Sequence, residues 1–148
     1  MAALGLARFE RSGLALVGSL RRDGSPRISP VEPYVVAGEL ALGMMPNSRK
    51  ALDLLRDPRL TVHSTACDRD GSEGDFKVYG QAFDVPDAVL RKAYGDATEA
   101  RIDWRPEGPF HLFVVDIESA GYIEFGEGRR AMRWTRSGGF QRLRHPDD

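Results

Sequence analysis

Short apolar runs separated by turn-forming residues dominate the first half of the chain. Residues 14–20 are small or apolar, and Asp23-Gly24 separates them from a second run at 26–36. An Asp-Gly pair between two apolar runs is typical of a β-hairpin, because glycine adopts the positive φ of a tight turn. Three prolines in the second run lack an N–H group. The second strand is therefore predicted to lie at a sheet edge or to contain a bulge.

Helical spacing of apolar residues occurs at three places. A short helix is predicted over 2–10, and another over 88–94, directly after Pro86-Asp87. The clearest helix begins at Asn47-Ser48-Arg49-Lys50 and ends at Asp57-Pro58, with apolar residues on one face between them. Asn47 or Ser48 is well placed to accept hydrogen bonds from its first free amides.

The remaining apolar runs predict further strands rather than helices. Six to eight antiparallel strands joined by hairpins, with two or three short helices, indicate a mainly β fold, a β-barrel with helical inserts. A chain of 148 residues suits a single domain over 1–148, and its polar end at 142–148 is predicted to fray. The further strands are predicted at 40–45, 60–64, 76–85, 110–117, 122–125 and 130–135.

Composition narrows the classes of function. Lys and Arg number 21 against 22 Asp and Glu, for a net charge of −1, which argues against a nucleic-acid partner. No run approaches the length of a membrane span, and residues 1–10 lack the pattern of a signal peptide, so we expect a cytoplasmic protein. The three histidines are too scattered to predict a metal site. The single cysteine, Cys67, is interpreted as a packing residue.

Three segments carry candidate chemistry. Ser48, Arg49 and Lys50 at a helix start suit a phosphate, because free amides and the helix dipole favour an anion there. Arg27 and Ser29 share one face of the second strand, and Lys77 and Tyr79 share one face of the fifth. A solvated surface is the competing interpretation of each segment when it is considered alone.

The order and spacing of these pieces resemble the pyridoxamine 5′-phosphate oxidase-like family. The resemblance extends over about half of the chain, from Leu14 to Val85, with a best-matched core at 12–86. It implies a split β-barrel of the FMN-binding type that forms a homodimer and holds the flavin at the interface between subunits. The matching pieces are Leu16–Leu20, Asp23–Pro30, Ser48–Ala51 and Asp57–Leu60.

The resemblance also implies a role for each matching position. Residues of the second strand would lie along the flavin ring and ribityl chain, the residues before the helix would touch the cofactor, and the helix start would grip its phosphate. The partner subunit would supply two residues of the fifth strand. The implied cofactor-binding set is Arg27, Ile28, Ser29, Pro30, Met44, Met45, Ser48, Arg49, Lys50, Asp75 and Lys77. No catalytic residue is assigned, and no metal is expected.

Several functions remain open on this fold. The first is an FMN-dependent oxidoreductase that transfers hydride or electrons to or from a small organic substrate; a flavin carries this chemistry itself, so the protein need only bind and orient. The second uses the deazaflavin coenzyme F-420, whose anionic tail would be met by Arg21, Arg22 and Arg49. The third is a non-catalytic protein that binds flavin or haem. Trp134 and Arg142 loosely resemble the C-terminal Trp and Arg of the family's pyridoxal-forming enzymes.

Overall fold

The computed structural model describes residues 1–66 and 68–148, so the expectation for Cys67 lies outside the described residues. The described residues form nine strands and three helices. The helices are α1 (Ala2–Ser12), α2 (Arg49–Arg56) and α3 (Ala88–Ile102). The strands are β1 (Ala15–Leu20), β2 (Pro26–Val31), β3 (Pro33–Val36), β4 (Glu39–Met44), β5 (Arg59–Ser64), β6 (Asp75–Asp84), β7 (His111–Glu124), β8 (Arg130–Thr135) and β9 (Gly139–Leu143).

All strand pairs are antiparallel, and the sheet is strongly curved without closing. Its main order is β2-β1-β5-β6-β7-β4-β3, so β2 and β3 are its two edges. These edges are consecutive in the chain, and Glu32 alone separates them. The chain therefore passes from β2 at one end of the sheet to β3 at the other end through the single residue Glu32. The described residues of β2 lie near β4 without pairing with it, and this gap is the open seam of the barrel. This confirms a mainly β fold of the split-barrel type with helical inserts.

Strand β7 divides the sheet into two branches. Its first residues pair with β4 and its last with β8, which carries β9 on its far side. Strand β6 follows β7 along most of its length, with a register shift at Tyr79/Gly80. A Cβ atom on Gly80 would lie 3.0 Å from the carbonyl carbon of Asp116 and closer still to its oxygen. The close approach of the two backbones at this bulge therefore requires glycine.

The barrel interior holds the main core, and a smaller core lies beneath α3. Val17, Leu42, Val62 and Phe113 are fully buried in the main core. In the smaller core, the rings of Tyr34 (β3) and Tyr94 (α3) pack edge to face with centroids 5.2 Å apart. This second core holds α3 against β3 and β4, beside the seam.

Most predicted elements are confirmed, and several bounds are corrected. The strand predicted at 26–36 is two strands, because Glu32 separates β2, which pairs with β1, from β3, which pairs with β4. Helix α3 continues to Ile102 rather than ending near residue 94, and the separate strands predicted at 110–117 and 122–125 are one strand, β7. Strand β9 was not predicted and raises the strand count above the predicted six to eight.

The end of the chain lies against the sheet. Arg142 and Leu143, both in the tail predicted to fray, belong to β9. His145 is buried, with its Nε2 3.1 Å from the carbonyl oxygen of Glu124. Fraying of 142–148 itself stays a prediction.

Two general features concern the described residues only. No helix in 1–66 or 68–148 is long and apolar enough to cross a membrane. Within the same ranges, no cluster of three or more His, Cys, Asp or Glu is placed to hold a metal ion.

Candidate functional site

An apolar recess beside α3 lies at the open seam of the barrel, and we call it the seam pocket. Its volume is about 390 Å³, within the range of small-molecule sites. The end of β2 contributes Pro30 and Val31, and the end of β4 contributes Gly43 and Met44. The loop 103–110 between α3 and β7 supplies the opposite wall.

Aromatic side chains line the α3 side of the seam pocket. Tyr94 and Phe110 stack with their centroids 5.8 Å apart and an interplanar angle of 28°. Burial raises the pKa of Tyr94 to about 12, and the neighbouring Tyr34 and Glu32 add to the shift, so Tyr94 is a neutral phenol. Trp104 lies at the mouth, with 53% of its surface exposed. This wall therefore presents the exposed ring of Trp104 and the stacked rings of Tyr94 and Phe110.

Three charged residues line the same pocket: Lys50, Glu32 and Glu107. The Lys50 Nζ donates a hydrogen bond to the Pro30 carbonyl oxygen at 2.5 Å and so links α2 to β2. Burial lowers the pKa of Lys50, and the charge of Glu32 partly opposes this shift. Neither glutamate makes an ion pair with another described residue. Two carboxylates therefore face one partly buried ammonium.

A second recess, the arginine basin, lies at the other end of β2. Its volume is about 610 Å³, and five arginines and two aspartates line it. Arg27 comes from β2 and Arg49 from the first turn of α2, whereas Arg21 and Arg22 follow β1. The side chains of Arg21, Arg22 and Arg49 make no ion pair with the described residues. The basin therefore presents unpaired positive charge to solvent.

The buried carboxylate of Asp53 on α2 neutralises part of the positive charge of the arginine basin. It is only 4% exposed and accepts hydrogen bonds from Arg27 Nε at 2.6 Å, Arg56 at 3.1 Å and Ser19 Oγ at 3.2 Å. Burial alone would raise the pKa of Asp53, but the hydrogen bonds from Arg27, Arg56 and Ser19 outweigh it and hold this pKa below its usual value. Arg27 is thus partly committed to a structural ion pair.

The structure divides the predicted site residues between these two recesses. Pro30, Met44, Met45 and Lys50 line the seam pocket, with Met44 buried and Met45 73% exposed. Arg27 and Arg49 line the arginine basin. Ser48 lies between the two recesses as the N-cap of α2, and its Oγ accepts from the Ala51 amide at 3.4 Å. Ser29 shares the half-buried face of β2 with Arg27, as the alternation predicts.

Ile28, Asp75 and Lys77 lie apart from the recesses that hold the other residues. Ile28 is 71% exposed on the outer face of β2. Lys77 pairs with Asp75 at 3.2 Å on β6. The registers align Pro30 and Lys77 in one row across β2, β1, β5 and β6. Three strand spacings separate their Cα atoms by about 14 Å, so one subunit does not bring Lys77 to the seam pocket.

The outer face of β1, β2, β5 and β6 has its own apolar character. Leu16, Ile28 and Tyr79 are exposed there. His63 lies in the same row as Leu16 and Lys77, and its Nδ1 lies 2.6 Å from the Ser64 carbonyl oxygen. Because a carbonyl only accepts, Nδ1 carries the proton and Nε2 keeps its lone pair while the ring is neutral.

Sequence reasoning missed several residues of both recesses. Trp104, Phe110 and Glu107 come from the loop after α3, and Asp53 comes from the buried face of α2. An isolated tryptophan among turn-forming residues, Trp104-Arg105-Pro106-Glu107-Gly108-Pro109, was a usable signal for a binding loop.

Solved structures of other proteins share the fold of this chain. No protein-family model matches the chain, and no curated protein matches it. A pyridoxamine 5′-phosphate oxidase-related, FMN-binding protein of Nostoc punctiforme superposes with a TM-score of 0.72 at 14% identity, over 97% of this chain and 94% of that one. This chain has the pyridoxamine 5′-phosphate oxidase-like split-barrel fold. It is the fold that the sequence resemblance predicts.

Other proteins with the split-barrel fold show how varied their ligands are. A haem-binding protein of Mycobacterium smegmatis matches with a TM-score of 0.66 at 19% identity; the match covers 90% of this chain but only 57% of that one. PhzG of Burkholderia lata, in complex with tetrahydrophenazine-1-carboxylic acid, matches with a TM-score of 0.68 at 11% identity, over 98% of this chain and 89% of that one. At these identities the fold is shared, and the ligand is decided by each chain's own residues.

Proposed function

We propose that this protein binds FMN along β2 and α2 and acts as a flavin-dependent oxidoreductase on a small organic substrate. One observation carries the proposal: neighbouring residues of the same two elements line two recesses of opposite chemistry. Arg49 faces the arginine basin and Lys50 the seam pocket, and Arg27 and Pro30 divide in the same way. FMN has an anionic phosphate at one end and a flat, largely apolar ring at the other.

The residues present fit such a cofactor. Arg49, unpaired among the described residues, stands in the first turn of α2 next to the Ser48 cap, where an anion is favoured by free amides and the helix dipole. Pro30, Met44 and Met45 offer an apolar surface to the ring. When bound, the flavin would supply hydride or electron transfer, and the chain would supply binding, orientation and exclusion of water.

The test is a titration of the purified protein with FMN, followed by flavin fluorescence. We expect binding in the micromolar range or tighter, and Arg49→Ala should weaken it by at least about tenfold, because a charge-assisted hydrogen bond contributes roughly 1.5–3 kcal/mol. Arg69→Ala is the matched control, because Arg69 is exposed in the loop between β5 and β6, at the opposite end of β5 from the basin. No binding of FMN to the wild-type protein would refute the proposal.

The same titration with coenzyme F-420 tests the deazaflavin alternative. Arg21 and Arg22 extend the positive charge of the basin beyond Arg49, which suits a longer anionic tail. Under the FMN proposal, Arg22→Ala should leave FMN affinity nearly unchanged. A preference for F-420 that is lost in Arg22→Ala would favour the deazaflavin reductase instead.

A haem-binding role is the second candidate, and His63 favours it. His63 lies in an apolar recess of about 590 Å³ on the outer face, with Leu16, Ile28 and Arg59. A neutral imidazole oriented through its Nδ1–H is a common haem ligand. Titration with haemin, followed by absorbance, separates the two: a Soret shift that His63→Ala abolishes would support haem, and none is expected if the protein is a flavoprotein.

We also propose that the protein is a homodimer, joined through the outer face of β1, β2, β5 and β6. The support is the exposed apolar set Leu16, Ile28 and Tyr79, together with the separation of Lys77 from β2 within one subunit. A partner packed on this face would bring its own Asp75 and Lys77 toward the cofactor.

A further inference from the structure

The seam pocket has a second wall besides the one proposed to contact the flavin ring. The residues proposed for the ring, Pro30, Met44 and Met45, lie on its strand side. The opposite wall, formed by α3 and loop 103–110, carries Tyr94, Trp104 and Glu107. In a flavin enzyme the substrate must lie beside the ring, so this wall is where the substrate would be recognised.

The charges of the seam pocket favour a positive ligand. Glu32 and Glu107 have no ion-pair partner among the described residues. Lys50 is the only cation among the lining residues, and its Nζ is already bonded to the Pro30 carbonyl oxygen. An anionic ligand would meet two carboxylates and only one ammonium, whereas a cation would find the carboxylates as partners.

The arginines around α3 do not reverse this balance. Arg91 pairs with Asp84, and Arg105 pairs with Asp96 and Glu99. Arg101 donates to the Pro33 carbonyl oxygen at 3.0 Å. None of the three side chains lines the pocket. Their ion pairs are therefore made with carboxylates that do not line the pocket.

Two aromatic rings of this region already have a guanidinium over one face: Phe110, which lines the pocket, and Tyr34, which packs against Tyr94. The guanidinium carbon of Arg91 lies 4.8 Å from the centroid of the Phe110 ring, and that of Arg101 lies 4.1 Å from the centroid of Tyr34. Trp104 has no such partner within residues 1–66 and 68–148 and is half exposed at the pocket mouth. Tryptophan is the strongest cation–π acceptor among the side chains. Its free ring and the two carboxylates together are suited to a positively charged nitrogen on a flat apolar group.

We infer that the substrate bound in the seam pocket is a flat, apolar molecule with a positively charged nitrogen, and not a phosphorylated or carboxylated one. This inference rests on the proposed function, because it takes the seam pocket as the substrate side of the flavin site. Glu32 and Glu107 would hold the nitrogen, and Trp104 would cover the flat part.

The test uses three probes with one ring system and three charges. Naphthylmethylamine is a cation at neutral pH, naphthylmethanol is neutral and naphthylmethyl phosphate is an anion. The calorimetric titrations of the wild-type protein are run with excess inorganic phosphate, which occupies the arginine basin so that it does not bind the phosphate probe. Under these conditions we expect the amine to bind at least about tenfold more tightly than the phosphate, because the seam pocket holds two carboxylates and one ammonium. Equal or tighter binding of the phosphate would overturn the inference.

Variants identify the groups responsible. Glu32→Gln and Glu107→Gln should each weaken amine binding about two- to fivefold and leave naphthylmethanol binding unchanged, as expected for single charge pairs near solvent. Trp104→Ala should weaken the binding of both naphthylmethylamine and naphthylmethanol. Glu39→Gln is the matched control, because Glu39 is exposed at the start of β4 and does not line the pocket. Unchanged amine affinity in both pocket variants would also overturn the inference.

The titration with FMN distinguishes a failure of this inference from a failure of the proposed function. If the protein binds FMN but prefers the anionic probe, the substrate class is wrong and the proposed function stands. If the amine binds with the expected dependence on Glu32 and Glu107 but FMN does not bind, the proposed function is wrong while the cation site remains.

Discussion

The carboxylate of Asp53 sets how much positive charge the arginine basin can offer. It accepts from Arg27 and Arg56, both of which also line the basin. An incoming phosphate would therefore compete with Asp53 for Arg27 but would meet Arg49 unpaired among the described residues. For this reason we assign the larger part of phosphate binding to Arg49 and a mixed structural and binding role to Arg27.

Replacing Asp53 by asparagine should destabilise the protein. The substitution leaves Arg27 and Arg56 without their anionic partner above the buried end of α2. Breaking a fully buried pair costs about 3–5 kcal/mol, and since Arg56 is partly exposed we expect about 2–3 kcal/mol in urea unfolding at neutral pH. Glu39→Gln, at an exposed carboxylate, is the control and should change the free energy of unfolding very little.

The loss should depend on pH in a defined direction. Because the pKa of Asp53 is lower in the folded state, its ionised form stabilises the fold at every pH above its unfolded pKa of about 4. The contribution is lost as the pH falls from there through the folded pKa. The stabilities of the wild type and Asp53→Asn should therefore converge below about pH 4, and a constant difference down to acid pH would contradict this role.

At the residue level, the sequence predicted which side chains share a face but not which ones meet. Alternation placed Arg27 with Ser29 and Lys77 with Tyr79, and the structure agrees. The pairing of Arg27 with Asp53 joins residues 26 positions apart on different elements. No local pattern encodes such a pairing, because it depends on how α2 docks on the sheet.

The contact between β4 and α3 shapes the seam pocket at the scale of elements. Gly43 of β4 faces Tyr94 of α3, and a Cβ atom on Gly43 would lie 2.6 Å from Tyr94 Cζ and closer to its hydroxyl oxygen. The Tyr94 ring is held on both sides by Tyr34 and Phe110, so it has little freedom to move away. Glycine at position 43 therefore allows α3 to pack close to the sheet.

Gly43→Ala should consequently displace α3 from β4. Overpacking of this kind costs about 1–3 kcal/mol, and the displaced helix should also weaken binding of naphthylmethylamine in the seam pocket. Gly121→Ala on β7 is the matched control, because its Cβ atom would have no neighbour closer than 3.6 Å. Urea unfolding and calorimetry measure the two effects, and equal behaviour of the two variants would rule out the proposed contact.

Elements with a clear local pattern were predictable, and elements that depend on distant contacts were not. The helix from residue 49 to Asp57 and the hairpin at Asp23-Gly24 have caps and turns that act within a few residues. The division of residues 26–36 at Glu32 depends on the two halves pairing with different strands, β1 and β4. The additional turns of α3 are stabilised by packing on β3, which the weak amphipathic pattern of that segment did not reveal.

In the proposed homodimer, the outer face of β1, β2, β5 and β6 is the interface between the two subunits. Specific interfaces usually bury about 1,200–2,000 Å² in total, and a four-stranded face with exposed Leu16, Ile28 and Tyr79 is the kind of surface that can supply it. If two copies pack through this face, the site of each subunit is completed by the β6 strand of the other. Cofactor affinity would then depend on the oligomeric state.

Light scattering at micromolar concentration should give twice the chain mass of 16.4 kDa. Ile28→Asp should shift the protein to the monomer mass, because an exposed apolar side chain of this face becomes a charge that the dimer would have to bury unpaired. Val89→Asp is the control: Val89 is 79% exposed on α3, away from this face, and its substitution should leave the mass unchanged. If a cofactor site is shared between subunits, Lys77 contributes to it only in the dimer. Lys77→Ala should then weaken FMN binding in the wild-type background but have no further effect in Ile28→Asp. A wild-type monomer, or equal effects of Lys77→Ala in both backgrounds, would exclude a site shared between subunits.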